Sequence, residues 1–154
     1  MRTFYTESEM AKRLREARRL GFRLPKGSER LPVSVWCRVA NGIGPGAWSR
    51  MARKISTWLQ PFARLAADSH DLAYCHPDKT RKNFNDANDD FYFNICQDIR
   101  ANTWKISLIR VLALRAAWIE YQAVHLGGWE AFITGETIPE LDDSVPEGPE
   151  TQET

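Results

Sequence analysis

Apolar positions recur along this chain at three- and four-residue spacing, the period of helices buried on one side. In Ser8–Leu20, Met10, Leu14, Ala17 and Leu20 share a face, with Lys12, Arg13, Arg15, Arg18 and Arg19 around it. Thr6 is placed to cap this helix and Gly21 to stop it. Residues 22–34, with Pro25, Gly27 and Pro32, read as a connector. A second helix is predicted from Ser49 to Leu59, and Pro61 opens a third, where proline is tolerated. Two stripes are expected on Phe62–Tyr74. Phe62, Leu65, Ser69 and Leu72 face the core, while Ala63, Ala67, His70 and Tyr74 face a closely approaching partner helix. After a turn over Cys75–Arg81, the partner is Asn83–Ile99 or a little longer, antiparallel because the connection is short. Asn102 reads as the cap of a last helix to Leu126, apolar on most sides and so central and buried, stopped by Gly127-Gly128. The pattern predicts an all-α fold.

Composition adds a domain plan. With 154 residues, 43% of them apolar and 27% charged, the chain is a single globular domain able to bury a core. That domain is expected to span 1–134. Residues 1–40 form a basic N-terminal extension, 41–100 a loop and helix pair, and 102–126 the last helix. Residues 135–154 hold seven acids, three prolines and no Lys or Arg, the composition of an acidic tail that is disordered or loosely docked. Charge is divided unevenly. Residues 1–60 carry 13 Lys and Arg against 4 Asp and Glu, and residues 61–154 carry 8 against 16. The basic end reads as a solvated face or a contact with anionic lipid. No nucleic-acid-binding motif accompanies it, so nucleic acid is not an expected partner.

No apolar leader and no uncharged run long enough for a membrane span is present; Ile106–Ile119 is interrupted by Arg110 and Arg115. Cys37, Cys75 and Cys96 are too few for a disulfide scaffold and are expected to be free thiols. On antiparallel helices, Cys75 and Cys96 would lie about 16 Å apart along the axis, beyond disulfide reach.

Two stretches carry candidate chemistry. The first, Val39–Trp48, places Gly42, Gly44 and Gly46 at every second position, a loop built for close approach. It lacks the lysine of a phosphate-cradling loop and the spacing of a dinucleotide fingerprint. The second is His70-Asp71-Leu72-Ala73-Tyr74, with His70 and Tyr74 one turn apart on one face. On the partner helix Asp86, Asp90 and Phe93 fall on one face, so a carboxylate there can meet His70; Asp86, Asp89 and Asp90 all lie within one turn.

His-Asp-x-x-Tyr on one helix, Asp-x-x-Phe on the next and an upstream Gly-x-Gly-x-Gly loop together resemble the calcium-dependent phospholipase A2 family. The likeness is greatest to its disulfide-poor viral capsid and bacterial forms, through Gly44-Pro45-Gly46 and Ala66-Ala67. It covers residues 41–96. The resemblance implies His70 as the base that activates water, Asp90 as its orienting partner and Tyr74 bonded to that carboxylate. It implies calcium held by Asp71 and the carbonyls of Gly42, Gly44 and Gly46, with an ester of a membrane phospholipid as substrate. Gly42 stands where many relatives have Tyr, and Ala73 where the secreted animal enzymes have Cys.

A phospholipid surface, preferably anionic, is then the expected partner, with Trp48 and Arg50, Arg53 and Lys54 near it and Trp58, Trp104 and Trp118 in the core. The protein is expected to be made in the cytoplasm and delivered with a virion or by specialised secretion, as an effector would be. One alternative is a catalytically inactive binding or virion-associated protein that keeps the fold. Another, a metal-dependent phosphohydrolase, needs more histidines than His76 and His125 supply.

Overall fold

The computed structural model describes residues 5–40, 63–103 and 107–141. These residues are helical with no strand, in agreement with the all-α expectation. The glycine loop, the predicted Ser49–Leu59 helix, Trp48, Trp58 and Trp104 lie outside the described residues.

Helix α1 spans Glu7–Arg19. Its start is a capping box: the Thr6 amide donates to Glu9 Oε2 at 2.8 Å, and the Glu9 amide donates to Thr6 Oγ1 at 3.3 Å. At its end Gly21 adopts φ +69°, and the amides of Gly21 and Phe22 donate back to Arg18 and Ala17. That left-handed turn needs glycine and seats Phe22 in the core.

A second helix, α2, Val33–Val39, preceded by Pro32, begins at the last two residues of the expected connector. Its seven residues bury Trp36, Cys37 and Val39. Residues 5–40, expected as a basic extension, thus contribute buried side chains to the core. Tyr5, Met10, Leu14 and Leu31 pack with α2 and with Leu72, Cys75, Ile138 and Leu141. Residues 138–141, within the stretch expected as the acidic tail, are docked on this cluster. The Ile138 amide donates to the Cys75 carbonyl at 2.8 Å, and Arg30 Nη2 donates to the Glu140 carbonyl at 2.8 Å.

Helix α3, described over 63–73, lies between two clusters of core residues. Leu72 joins the cluster just named. Ala63, Ala66 and Ala67 join the other, with Ala17 of α1 and several residues of α4 and α5. Alanines on three of these helices, α1, α3 and α5, let the backbones approach closely. Asp68 is buried on this helix too, held by Arg13 Nε at 2.7 Å and by the Tyr5 hydroxyl at 3.3 Å. So α3 is buried on nearly every side, more than two stripes would require.

Helix α4, Arg81–Asn102, is a little longer than Asn83–Ile99, as expected, and is capped by Thr80, whose Oγ1 accepts from the Asn83 amide. It runs antiparallel to α3, since Tyr74 meets Phe84 and His70 meets Phe91. Asn102 ends α4 instead of capping the next helix. Ser107 takes that role for α5, Leu108–Gly127. Helix α5 is not the buried centre: Ala113, Ala117, Glu120 and Val124 point inward, while Trp118, expected in the core, is 53% exposed. A short α6, Trp129–Thr134, follows Gly128 and buries Phe132. No helix of the described residues is long and apolar enough to cross a membrane. Cys37, Cys75 and Cys96 are buried free thiols.

Candidate functional site

The inward face of α4 is set by Phe84, Ala87, Phe91, Ile95 and Ile99, apolar at three- and four-residue spacing. Asn88 falls on that face and is fully buried. Its Oδ1 lies 2.9 Å from His70 Nε2 and accepts from the Tyr74 hydroxyl at 3.0 Å. An amide oxygen only accepts, so Nε2 carries the imidazole proton and Nδ1 keeps its lone pair. Asn88 thus fixes the tautomer and the ring plane, the office of the orienting partner of a general base.

The three candidate carboxylates on α4, Asp86, Asp89 and Asp90, are engaged elsewhere. Asp90 sits two residues, or 200° of helix, from Asn88 and pairs with Arg23 at 3.4 Å. Asp86 pairs with Lys82 at 2.6 Å, and Asp89 accepts from the Tyr121 hydroxyl at 2.8 Å. The expected contact from Asp90 to His70 is made by Asn88, and the expected bond from Tyr74 to a carboxylate goes to the same amide. A signal for this was present: Asn88-x-x-Phe91 has the spacing of Asp90-x-x-Phe93, with an amide in place of the acid.

His70 is clasped between two rings, Tyr74 at 4.1 Å and Phe91 at 4.6 Å between centroids. Burial disfavours the imidazolium and lowers its pKa from 6.5 to about 4, only partly offset by Asn88. The ring is therefore neutral throughout the physiological range. Burial also pushes the Tyr74 hydroxyl well above its ordinary pKa, with the Asp71 carboxylate adding to the effect, so it stays a donor. The Asn88 Nδ2 has no hydrogen-bond partner despite its burial, at a cost of about 1–3 kcal/mol.

Gly128 completes the arrangement from the far side. A Cβ there would stand 2.3 Å from the Tyr74 hydroxyl and 2.5 Å from the Val124 carbonyl. Only a residue without a side chain leaves room for that hydroxyl to reach Asn88. Gly128 has φ −86°, so space and not backbone conformation is the reason.

His70 opens onto a cleft of about 160 Å³ that Ser69, Phe91 and Asp90 also line. This volume holds a few waters and is below the roughly 300–1,000 Å³ of a site for a whole small ligand. Its opposite wall, Arg23 to Lys26, is fastened to α4 by buried Asn94, which accepts from the Arg23 amide at 2.8 Å and donates to the Arg23 carbonyl at 2.9 Å. His76 borders the cleft and accepts from the Asp78 amide; His125 lies against Phe84 and Tyr121.

Asp71 is half-buried on the turn of α3 that carries His70. Gly42, Gly44 and Gly46 lie outside the described residues. Among the described residues no group of three or more His, Cys, Asp or Glu gathers to hold a metal. A site of one carboxylate and backbone carbonyls is not such a group, and Asp71 is an oxygen donor of the kind a hard cation takes. Compared with protein-family models, curated proteins and solved structures, the chain matches none of them.

Proposed function

We propose that this protein is a phospholipase of the calcium-dependent A2 type, with His70 as the base that activates water against an ester of a membrane glycerophospholipid. The observation that carries the reading is the hydrogen bond from His70 Nε2 to buried Asn88, made on the wall of a cleft large enough for water. In this mechanism water attacks the carbonyl carbon while Nδ1 takes its proton. The collapsing tetrahedral intermediate then releases the alkoxide, which receives that proton from the imidazolium, giving a free fatty acid and a lysophospholipid. Asn88 keeps the ring in register through both transfers, and Tyr74 keeps Asn88 in register. Calcium bound by Asp71 and the carbonyls of Gly42, Gly44 and Gly46 would supply Lewis-acid polarisation of the ester carbonyl.

One observation favours a second reading, a binding or virion-associated protein without turnover. An amide stabilises the imidazolium less than a carboxylate does, and the base it leaves is weak. Fatty-acid release from mixed phospholipid vesicles decides between them, measured with millimolar calcium or chelator for the wild type and His70→Asn. Calcium-dependent release that His70→Asn abolishes supports the enzyme. Folded protein that releases nothing under any condition supports the binding protein.

A further inference from the structure

The outer face of α5 is apolar where a helix on a protein surface is ordinarily polar. Leu108, Leu112, Ile119 and Leu126 recur at intervals of four and seven residues, so they form one stripe. Their exposures run from 43% to 81%, and exposed Val111 and Trp118 flank them. The stripe is about 27 Å long and one helix wide, on the order of 300 Å². Patches of that size on a monomer are often functional.

Charge identifies the occupant. Exposed Arg115 lies within the stripe, between Leu112 and Ile119. The single acid of α5, Glu120, is buried on the opposite side. If two copies met through this face, Arg115 would enter an apolar interface with no α5 carboxylate from either copy to receive it, an unfavourable burial. At an anionic bilayer the same residues are complementary. Leucine, isoleucine and tryptophan enter the acyl boundary while arginine extends to the phosphates. The helix does not qualify as a membrane span, so it lies on the bilayer and does not cross it.

We propose that the outer face of α5 is a membrane-docking surface that lies in the plane of an anionic phospholipid bilayer. The inference deepens the proposed function by assigning its lipid contact to a named face. It rests on that reading only in that both name a membrane, and it holds without turnover.

Flotation of the full chain in chelator tests it, with vesicles of phosphatidylcholine alone or mixed equally with phosphatidylglycerol. The wild type is expected to float with the mixed vesicles. The double variant Leu112→Glu/Ile119→Glu is expected to lose at least about tenfold in partitioning. Arg115→Glu, which keeps the apolar residues, is expected to lose about tenfold on mixed vesicles and little on neutral ones. Circular dichroism checks that both variants are folded. His70→Asn is expected to float like the wild type, which separates docking from hydrolysis. The proposal is overturned if the wild type floats with neither vesicle or if the variants float as well as it does. It is also overturned if sedimentation shows a dimer that the double variant dissociates, for the face then belongs to a second copy.

Discussion

Replacing the orienting amide with a carboxylate, Asn88→Asp, perturbs the site with almost no change in shape. The new oxygen takes the place of an Nδ2 that has no hydrogen-bond partner, so no existing bond is lost. What changes is charge, introduced beside an imidazole whose Nε2 is 2.9 Å from the present oxygen. With the charge centres about 4 Å apart and an effective dielectric constant near 20, the attraction for the imidazolium is about 4 kcal/mol, or about three pKa units. Burial of the carboxylate itself offsets part of this. His70 is expected to rise from about 4 in the wild type by roughly two to three units. Imidazole nitrogen shifts, followed by NMR across pH, read both values directly. If the proposed function holds, the ascending limb of the pH–rate profile moves up by the same interval, since the base must be unprotonated to act. Above that limb the stronger base is expected to give at least about tenfold faster release. A wild-type His70 titrating near 6.5 would refute burial as the force on this ring. A variant with no upward shift would refute residue 88 as its orienting partner.

Two further predictions concern stability. A histidine whose folded pKa is depressed contributes stability above its unfolded pKa of 6.5, and loses it as pH falls through about 4; that window is worth about 3 kcal/mol. Burial raises Asp98 to about 6, so it acts oppositely, adding stability as pH falls. Urea titrations of the wild type and His70→Asn from pH 7 to 4 therefore isolate the histidine: the variant should lose less stability on acidification, and parallel curves would contradict this. Gly128→Ala should destabilise by at least about 2 kcal/mol through overpacking, and Tyr74→Phe in the same chain should recover part of that loss; strictly additive effects in the double-mutant cycle would show that the hydroxyl is not what the methyl strikes.

Much of the helical pattern was legible because it is local. Thr6 and Gly21 mark the ends of α1 by hydrogen bonds within the helix and its flanks, and His70 and Tyr74 share a face by spacing alone. What escaped depends on tertiary contacts. Seven residues of α2 are too few to show a period, and nothing local reveals that Trp36 packs with Leu72 or that Ile138 and Leu141 close over the same cluster. For α5 the composition was misleading, since a helix apolar on most sides reads as buried whatever covers its outer face. Gly127-Gly128 reads as a helix stop, which it is, but its spatial role toward Tyr74 depends on α6 folding back.

The choice between Asn88 and Asp90 is a question of helix phase, and the apolar residues decide it. Two registers of the same four-residue pattern lie on α4, Asn88-x-x-Phe91 and Asp90-x-x-Phe93, separated by 200°. Turning Asp90 toward His70 would carry Phe91, Phe84 and Ile95 out of the core together, at about 1.5–3 kcal/mol for each large side chain exposed. It would also bury a carboxylate at the price of its pairing with Arg23. Against that, the register found leaves one amide Nδ2 unsatisfied, about 1–3 kcal/mol. The helix therefore settles with the asparagine inward. A search for a carboxylate to orient His70 selects the wrong register because it weighs the chemistry of one residue above the burial of three.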